Sequence, residues 1–287
     1  EAVKMLMERK DISVYLIGIG DPLKASPIPK KDIHGHTTGY EIDFEDFEKK
    51  AKNAKVFILC NPHNPVGRVW SINELKTLAR IANENNMYVI SDEIHSDIIF
   101  KNNKFIPYST LPKELTQMSI SLLSPAKSFN LPSISTSFLY SQNQDVLEKF
   151  DKLIQSMYLG STSVLDLIAM QTAYNTGDNW LDALLVHVED NINYAIDYIK
   201  ENIPKLKVIE PEGMYLIWID FRELNINDQE FNKLLVNQGL ALNPGFWFGN
   251  AGNGFLRMNL ATSKEITLQG LEKLKNTADY INSGNNL

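Results

Sequence analysis

The chain has 287 residues, of which 44% are hydrophobic and 22% are charged, and its formal net charge is −7. This composition is typical of a globular protein, and the acidic balance argues against nucleic-acid binding. No apolar run approaches the roughly 18 residues of a membrane span. The single cysteine, Cys60, excludes an internal disulfide bond. We therefore predict a cytoplasmic protein with no membrane partner, no nucleic-acid partner and no metal site.

The first ten residues, EAVKMLMERK, mix charged and apolar side chains at helical spacing. This pattern predicts a helix and is not typical of a signal peptide. The sequence starts without methionine and inside this helix. We therefore expect that a natural N-terminal region precedes it.

The first half of the chain predicts strands that alternate with helices. The predicted elements are a helix from Asp43, a strand over 55–60, a helix with a capping box of Ser71 and Glu74, and strands over 87–90 and 118–123. The apolar runs of these strands are continuous, which is typical of a parallel sheet covered on both faces. Strands separated by helices indicate an α/β fold.

The second half predicts a smaller α+β unit. Its predicted elements are a long amphipathic helix over 180–203, strands over 207–211 and 214–221, a helix over 228–238 that ends at Gly239, a strand over 254–262 and a last helix from Ser263. We place the domain boundary inside the long helix. Residues 1–182 are then a large α/β domain with a mostly parallel sheet, incomplete at its N-terminus, and residues 183–287 a small C-terminal α+β domain.

Polar side chains follow three predicted strands. Asn64 lies in NPHNPVG after the first strand, Asp92 and His95 lie in SDEIH after the second, and Ser124 and Lys127 lie in SPAK after the third. Ligands of open α/β sheets bind beyond the carboxyl ends of the strands. Each motif alone also has a structural interpretation, since such residues form turns and helix caps. Their recurrence at successive strand ends favours one shared site.

A lysine, an aspartate and an asparagine together suit pyridoxal phosphate. A lysine amine forms a Schiff base with an aldehyde, and the pyridinium nitrogen of this cofactor needs an acidic partner. The protonated ring then withdraws electrons from the α-carbon of a substrate. An asparagine amide can donate to the 3-oxygen of the ring, and a serine near the lysine can reach the phosphate.

Several motifs resemble the class I/II aminotransferase family of fold-type I pyridoxal-phosphate enzymes. They are NPHNPVGRVW, SDEIHSD, AKSFNLP, WLDALLVHVEDNINY, YLIWIDFRELNI and PGFWFGNAGNGFLRMNLA. The resemblance covers roughly residues 40–287 and is strongest to the carbon–sulfur lyase branch, with the cystathionine β-lyases, the maltose-regulon modulator protein and cystalysin.

The resemblance implies a role for each candidate residue. Lys127 becomes the Schiff-base lysine, and the other cofactor contacts are Asn64 to the 3-oxygen, Asp92 to the ring nitrogen, His95 near the ring and Ser124 to the phosphate. Arg257, in GFLRMNLA, matches the arginine that binds the substrate α-carboxylate, and a planar guanidinium suits that contact. Trp247 and Phe248 either shape the substrate pocket or fill apolar space beneath a loop.

The resemblance also implies a homodimer and a small amino-acid substrate. The expected reaction is α,β-elimination from cystathionine or cysteine-type amino acids to thiol, pyruvate and ammonia. Amino transfer remains an alternative because both reactions begin alike. Family members also carry an N-terminal loop that cradles the phosphate, and residues 1–40 contain no match to it. A relative with weak or no catalysis and a regulatory or structural role is therefore a further alternative.

Overall fold

The computed structural model describes residues 14–16, 27–31, 37–134, 136–159 and 163–284. The helix predicted over the first ten residues lies outside this part of the chain. The described residues form two compact units. Unit 1 consists of those in 14–16, 43–62 and 69–184, and unit 2 consists of those in 27–42, 63–68 and 185–284.

The strands are β1 Val14–Leu16, β2 Pro27–Lys31, β3 Thr37–Ile42, β4 Val56–Cys60, β5 Tyr88–Asp92, β6 Ser119–Leu123, β7 Phe138–Tyr140, β8 Lys207–Ile209, β9 Leu216–Asp220, β10 Asn243–Pro244 and β11 Phe255–Asn259. The α-helices are α1 Phe44–Ala51, α2 Ile72–Glu84, α3 Lys113–Thr116, α4 Pro125–Ser128, α5 Gln144–Ser156, α6 Val164–Thr176, α7 Asp178–Asn202, α8 Asp228–Asn237 and α9 Lys264–Asn282. Short 3₁₀ segments cover Tyr108–Thr110, Arg222–Leu224, Gly245–Phe248 and Asn250–Gly252.

Unit 1 contains a sheet in the order β1-β4-β5-β6-β7. The first four strands are parallel to their neighbours, and β7 is antiparallel to β6. The buried β4 and the helices between the strands confirm the predicted α/β class with a mostly parallel sheet. The carboxyl ends of β4, β5 and β6 therefore share one edge of this sheet.

Local sequence signals explain why the helices of unit 1 begin where they do. Asp43 accepts the Asp46 backbone N–H and caps α1, and Ser71 and Glu74 form the predicted capping box of α2. Apolar side chains of both helices then pack on the sheet. The rings of Phe47 and Phe57 lie 4.6 Å apart, and Leu75 is fully buried. This packing holds the strand ends in place.

Unit 2 contains a four-stranded antiparallel sheet in the order β10-β11-β9-β8 and a hairpin of β2 and β3. Its core includes Trp218, whose ring stacks on Phe255 at 5.2 Å with an interplanar angle of 6°. The indole N–H of Trp218 donates to the hydroxyl of Tyr40, on β3, at 3.2 Å. The predicted C-terminal α+β unit is therefore present, with β2, β3 and residues 63–68 joined to it.

The division of the sequence into domains at residue 182 stays a prediction. The two compact units also divide within α7, between Leu184 and Leu185. Unit 2, however, also includes described residues of 27–42 and all of 63–68, which the predicted division assigns to the first domain. Among the described residues, no helix is both long and apolar enough to cross a membrane.

Candidate functional site

Asp92 and Lys127 lie at the same edge of the unit 1 sheet. Asp92 is the last residue of β5, and Lys127 lies in α4, which begins two residues after β6 ends. The two strands are parallel neighbours, with Asp92 paired to Leu122. The structure therefore brings these two candidate residues together at the edge where the sequence predicts a ligand.

The Asp92 carboxylate has few polar partners to offset its burial. Its Oδ1 accepts the Ile94 backbone N–H at 3.3 Å. Burial raises the pKa of Asp92, while the Ile94 hydrogen bond and the charge of Lys127 oppose that shift. A cationic ligand group placed against this carboxylate would favour its charged form.

Lys127 is half-buried on a helix of only four residues. Ser124 caps this helix and Pro125 occupies its first turn, where a missing N–H costs no hydrogen bond. In the part of the chain that the structure describes, the Lys127 ammonium donates no hydrogen bond and forms no salt bridge. Among the described residues, the amine at this sheet edge therefore has no hydrogen-bond acceptor that a ligand would have to displace.

Ser124 uses its hydroxyl within the protein. It donates to the Thr136 carbonyl at 2.9 Å and accepts the Ala126 N–H at 3.2 Å. A hydroxyl has one proton, so Ser124 must turn away from Thr136 to donate to a phosphate. The Thr136 hydroxyl is buried and has no hydrogen-bond partner among the described residues. The predicted phosphate contact of Ser124 stays a prediction.

His95 is 4% exposed and lies in the turn that follows β5, three residues after Asp92. Its backbone carbonyl accepts the Ile98 N–H at 3.0 Å, which closes this turn. The turn places His95 in unit 1 with Asp92, Ser124 and Lys127. Its predicted position near the cofactor ring stays a prediction.

Asn64 and Arg257 lie in unit 2 and contact each other directly. The Arg257 Nη1 donates to the Asn64 Oδ1 at 2.8 Å, although the two residues are 193 positions apart. A turn presents Asn64, closed by a hydrogen bond from the Gly67 N–H to the His63 carbonyl. This contact uses only the side-chain oxygen of Asn64, so its side-chain NH₂ group can still donate to a ligand.

Two of the three aromatic residues of the PGFWFG motif, Trp247 and Phe248, differ in how far they are buried. Phe248 packs against the unit 2 core, with its ring 5.5 Å from Trp218, and also covers the Arg257 guanidinium at 4.8 Å. Trp247 is 66% exposed. Phe248 therefore packs against the unit 2 core, and a part of Trp247 or Phe248 in shaping a substrate pocket stays a prediction.

Three further side chains support the candidate residues and were missed by the sequence. Asn243 accepts two hydrogen bonds from Arg257, Asp97 accepts one from Ser128, and Glu93 accepts from Ser91, Ser121 and the Tyr108 N–H. Burial raises the pKa of Glu93, and these three donors oppose the shift. Glu93 and Asp97 lie inside the SDEIHSD motif, and Asn243 directly precedes PGFWFG. Apart from Ser91, their hydrogen-bond partners are 14 or more positions away, and no local sequence signal reveals such pairs.

A model of the aminotransferase class I and II family matches residues 23–274. The chain belongs to this family. Members of the family that resemble it include the cystathionine beta-lyase PatB of Bacillus subtilis, which is 35% identical over 253 residues. That match covers 87% of this chain and 64% of PatB.

Two solved structures extend the comparison to the fold. A PLP-bound protein of Clostridium difficile 630 has a TM-score of 0.90 and 36% identity, over 96% of this chain and 75% of that one. Cystalysin of Treponema denticola, whose structure contains pyridoxal 5'-phosphate, has a TM-score of 0.87 and 28% identity, over 93% and 70%. These likenesses confirm the predicted family and its α/β fold.

Proposed function

We propose that this protein is a pyridoxal-phosphate-dependent carbon–sulfur β-lyase that acts on cystathionine or cysteine-type amino acids. The observation that carries the proposal is the placement of Asp92 at the end of β5 and of Lys127 in the short helix that follows the neighbouring parallel strand β6, in a chain 35% identical to a cystathionine beta-lyase. The chain spans 64% of that relative's length, so the activity of the whole protein is inferred from its site.

The residues of unit 1 fit the cofactor. Asp92 is a half-buried carboxylate that one backbone N–H and the Lys127 charge only partly stabilise, and a protonated pyridine nitrogen would be a further partner for it. The Lys127 amine has no competing hydrogen bond among the described residues and can hold the cofactor aldehyde. The buried Thr136 hydroxyl, without a described partner, supplies a further polar group next to Ser124.

When bound, pyridoxal phosphate supplies an electron-withdrawing ring that acidifies the substrate α-carbon. Asp92 would keep that ring protonated. By the family resemblance, Asn64 would donate its amide N–H to the ring 3-oxygen, Arg257 would bind the α-carboxylate, and His95 would border the ring.

Lys127 would have two tasks in succession. It would hold the cofactor aldehyde and, once a substrate amine has taken its place, its free amine would remove the substrate α-proton as a general base. The β-substituent would leave as a thiolate that takes up a proton to become the thiol, and water would convert the remaining three-carbon fragment to pyruvate and ammonia. The substrate is thus an amino acid with sulfur on its β-carbon.

The experiment loads the purified protein with pyridoxal phosphate and follows the visible absorbance of the bound cofactor. Cystathionine is then added, and thiol, pyruvate and ammonia are quantified. Equal amounts of the three products support β-elimination. Amino transfer to a keto acid without thiol release would instead identify an aminotransferase. A protein that binds no cofactor would support a regulatory or structural relative.

We further propose that the protein acts as a homodimer in a reducing, cytoplasmic compartment, and that residues 1–182 and 183–287 are its domains. Family resemblance supports the dimer, and the single cysteine supports the compartment. Sedimentation of the loaded protein tests the oligomeric state.

A further inference from the structure

Asn243 and Arg257 face each other across an antiparallel strand pair. Asn243 on β10 is the register partner of Arg257 on β11. The Asn243 side-chain oxygen accepts from Arg257 Nη2 at 2.9 Å and from Nε at 3.3 Å. Asn64 accepts from Nη1 on the other side at 2.8 Å. Two neutral amide oxygens therefore hold the guanidinium group in one orientation.

Within the described part of the chain, these partners leave the positive charge of Arg257 without a counter-ion. None of the salt bridges among the described residues includes Arg257, and its hydrogen-bond acceptors there are amides. Burial lowers the pKa of Arg257, and only Tyr215 opposes this shift. The Phe248 ring covers one face of the group at 4.8 Å. A half-buried cation with neutral partners is suited to bind an anion, because no internal carboxylate must be displaced.

The hydrogen bonds also determine which edge of the guanidinium an anion can use. Arg257 has five N–H donors. Nε and one hydrogen of Nη2 form the side edge that commonly binds carboxylates in a fork, and Asn243 occupies it. Asn64 takes one hydrogen of Nη1. One N–H remains on each terminal nitrogen.

We propose that Asn243 is a positioning residue that closes the Nε edge of Arg257 and directs the substrate α-carboxylate to the two terminal nitrogens. This inference rests on the proposed function, in which Arg257 binds the carboxylate. It assigns to β10 a part in substrate selection: the amide orients the cation without neutralising it. An aspartate at the same position would orient Arg257 equally well and would neutralise it.

The decisive variant is therefore Asn243→Asp, which has nearly the same shape and adds one negative charge. Its carboxylate would form a bidentate ion pair with Arg257 and compete with the substrate carboxylate. We expect KM to rise roughly ten- to a hundredfold, the effect of one charge-assisted hydrogen bond, with kcat little changed. Asn243→Leu removes the acceptor but keeps the charge and should raise KM less. Asn193→Asp, at an exposed position on α7, is the matched control.

Binding of two substrate analogues separates charge recognition from catalysis. Cofactor-loaded proteins are titrated with L-alanine, which has a carboxylate and no leaving group, and with L-alaninamide, which lacks the carboxylate. The spectral change of the cofactor reports each dissociation constant. We expect the native protein and Asn193→Asp to prefer alanine, and Asn243→Asp to lose that preference. An unchanged preference in Asn243→Asp would overturn the proposal.

A measurement on the cofactor-free protein keeps the test independent of the lyase proposal. Phenylglyoxal modifies accessible guanidinium groups, and peptide mass mapping gives the rate at each arginine. Ion pairing in Asn243→Asp should slow modification of Arg257 by about tenfold. The rate at exposed Arg80, on α2 in unit 1, serves as internal reference. If Arg257 reacts at the same rate in the native protein and in Asn243→Asp, the positioning role is wrong, whatever the lyase assay shows. A slowed reaction without cofactor binding would support the role and reject only the proposed function.

Discussion

Ser128 donates a hydrogen bond of 2.6 Å to Asp97. Ser128 is fully buried and follows Lys127 directly, while Asp97 lies five residues after Asp92. The bond thus connects the short helix that carries Lys127 to the loop that follows the strand of Asp92. Nearby, burial and the Asp97 charge raise the pKa of Tyr174 to about 12. The Ser128–Asp97 hydrogen bond therefore helps to fix the position of Lys127 relative to Asp92.

Ser128→Ala should remove this hydrogen bond and weaken the link between the Lys127 helix and the loop of Asp97. Loss of the donor to a carboxylate is expected to lower the free energy of unfolding by about 1–3 kcal/mol and to speed release of the cofactor. Ser128→Thr keeps the hydroxyl and is the control. Denaturant unfolding and cofactor release measure the two effects. If Ser128→Ala matches Ser128→Thr in both, the bond contributes nothing to the site.

Lys127→Ala should fold normally and lose both stable cofactor attachment and lyase activity, because its amine is the proposed anchor and base. Borohydride reduction of the loaded native protein, followed by peptide mapping, should place the pyridoxyl group on Lys127. Lys104→Ala, at an exposed loop position, is the control and should keep the adduct and the activity. An adduct on any other lysine in the native protein would contradict the assignment.

Asp92→Asn should separate stability from activity. Burial raises the pKa of Asp92 in the cofactor-free protein above the ordinary value of 3.8, so the folded chain binds this proton more tightly than the unfolded chain does. That contribution to stability is present at low pH and lost as pH rises through the folded-state pKa. The asparagine variant should therefore melt at higher temperature than the native protein near neutral pH, and the difference should vanish toward acid pH. Thermal unfolding across pH without cofactor measures this.

The same variant should lose turnover by about a hundredfold or more once loaded, because an amide cannot keep the ring nitrogen protonated. Asp92→Glu tests whether the charge alone is sufficient. Native-like turnover in Asp92→Asn would reduce Asp92 to a turn residue that accepts the Ile94 N–H.

Gly245→Ala should disturb the loop next to Asn243. A Cβ at Gly245 would lie 1.9 Å from the Gly252 carbonyl oxygen, so the backbone must move. Overpacking of this kind destabilises proteins by about 1–3 kcal/mol. Gly39→Ala is the control, since its Cβ would meet only the end of the Lys30 side chain at 4.0 Å. Thermal unfolding and KM together show whether the loop also positions Asn243. Equal melting temperatures for the two variants would contradict the expected clash.

Local signals in the sequence were sufficient to predict most of the helices and strands, and the motifs were sufficient to predict the protein family. The capping box of Ser71 and Glu74 appears as predicted. The strands β4, β5 and β6 begin within one residue of the predicted starts, and β5 extends beyond its predicted end to include Asp92. These features depend on neighbours within a few residues, and propensity and capping act at that range. The motifs also identified Lys127 and Asp92 as candidates. The sequence did not reveal α5, α6 or the pairing of β2 with β3.

Only the tertiary structure decided which distant residues meet. Asn64 contacts Arg257 across 193 positions, and Asn243 faces it through strand register. Ser128 finds Asp97 only because two loops end at the same sheet edge. A single sequence contains no local signal for such pairs, because a shift of one residue in register turns every side chain to the opposite face. The residues that we propose to carry the chemistry were therefore predictable from motifs, whereas their hydrogen-bond partners Asn243 and Asp97 depended on how the strands pair and pack.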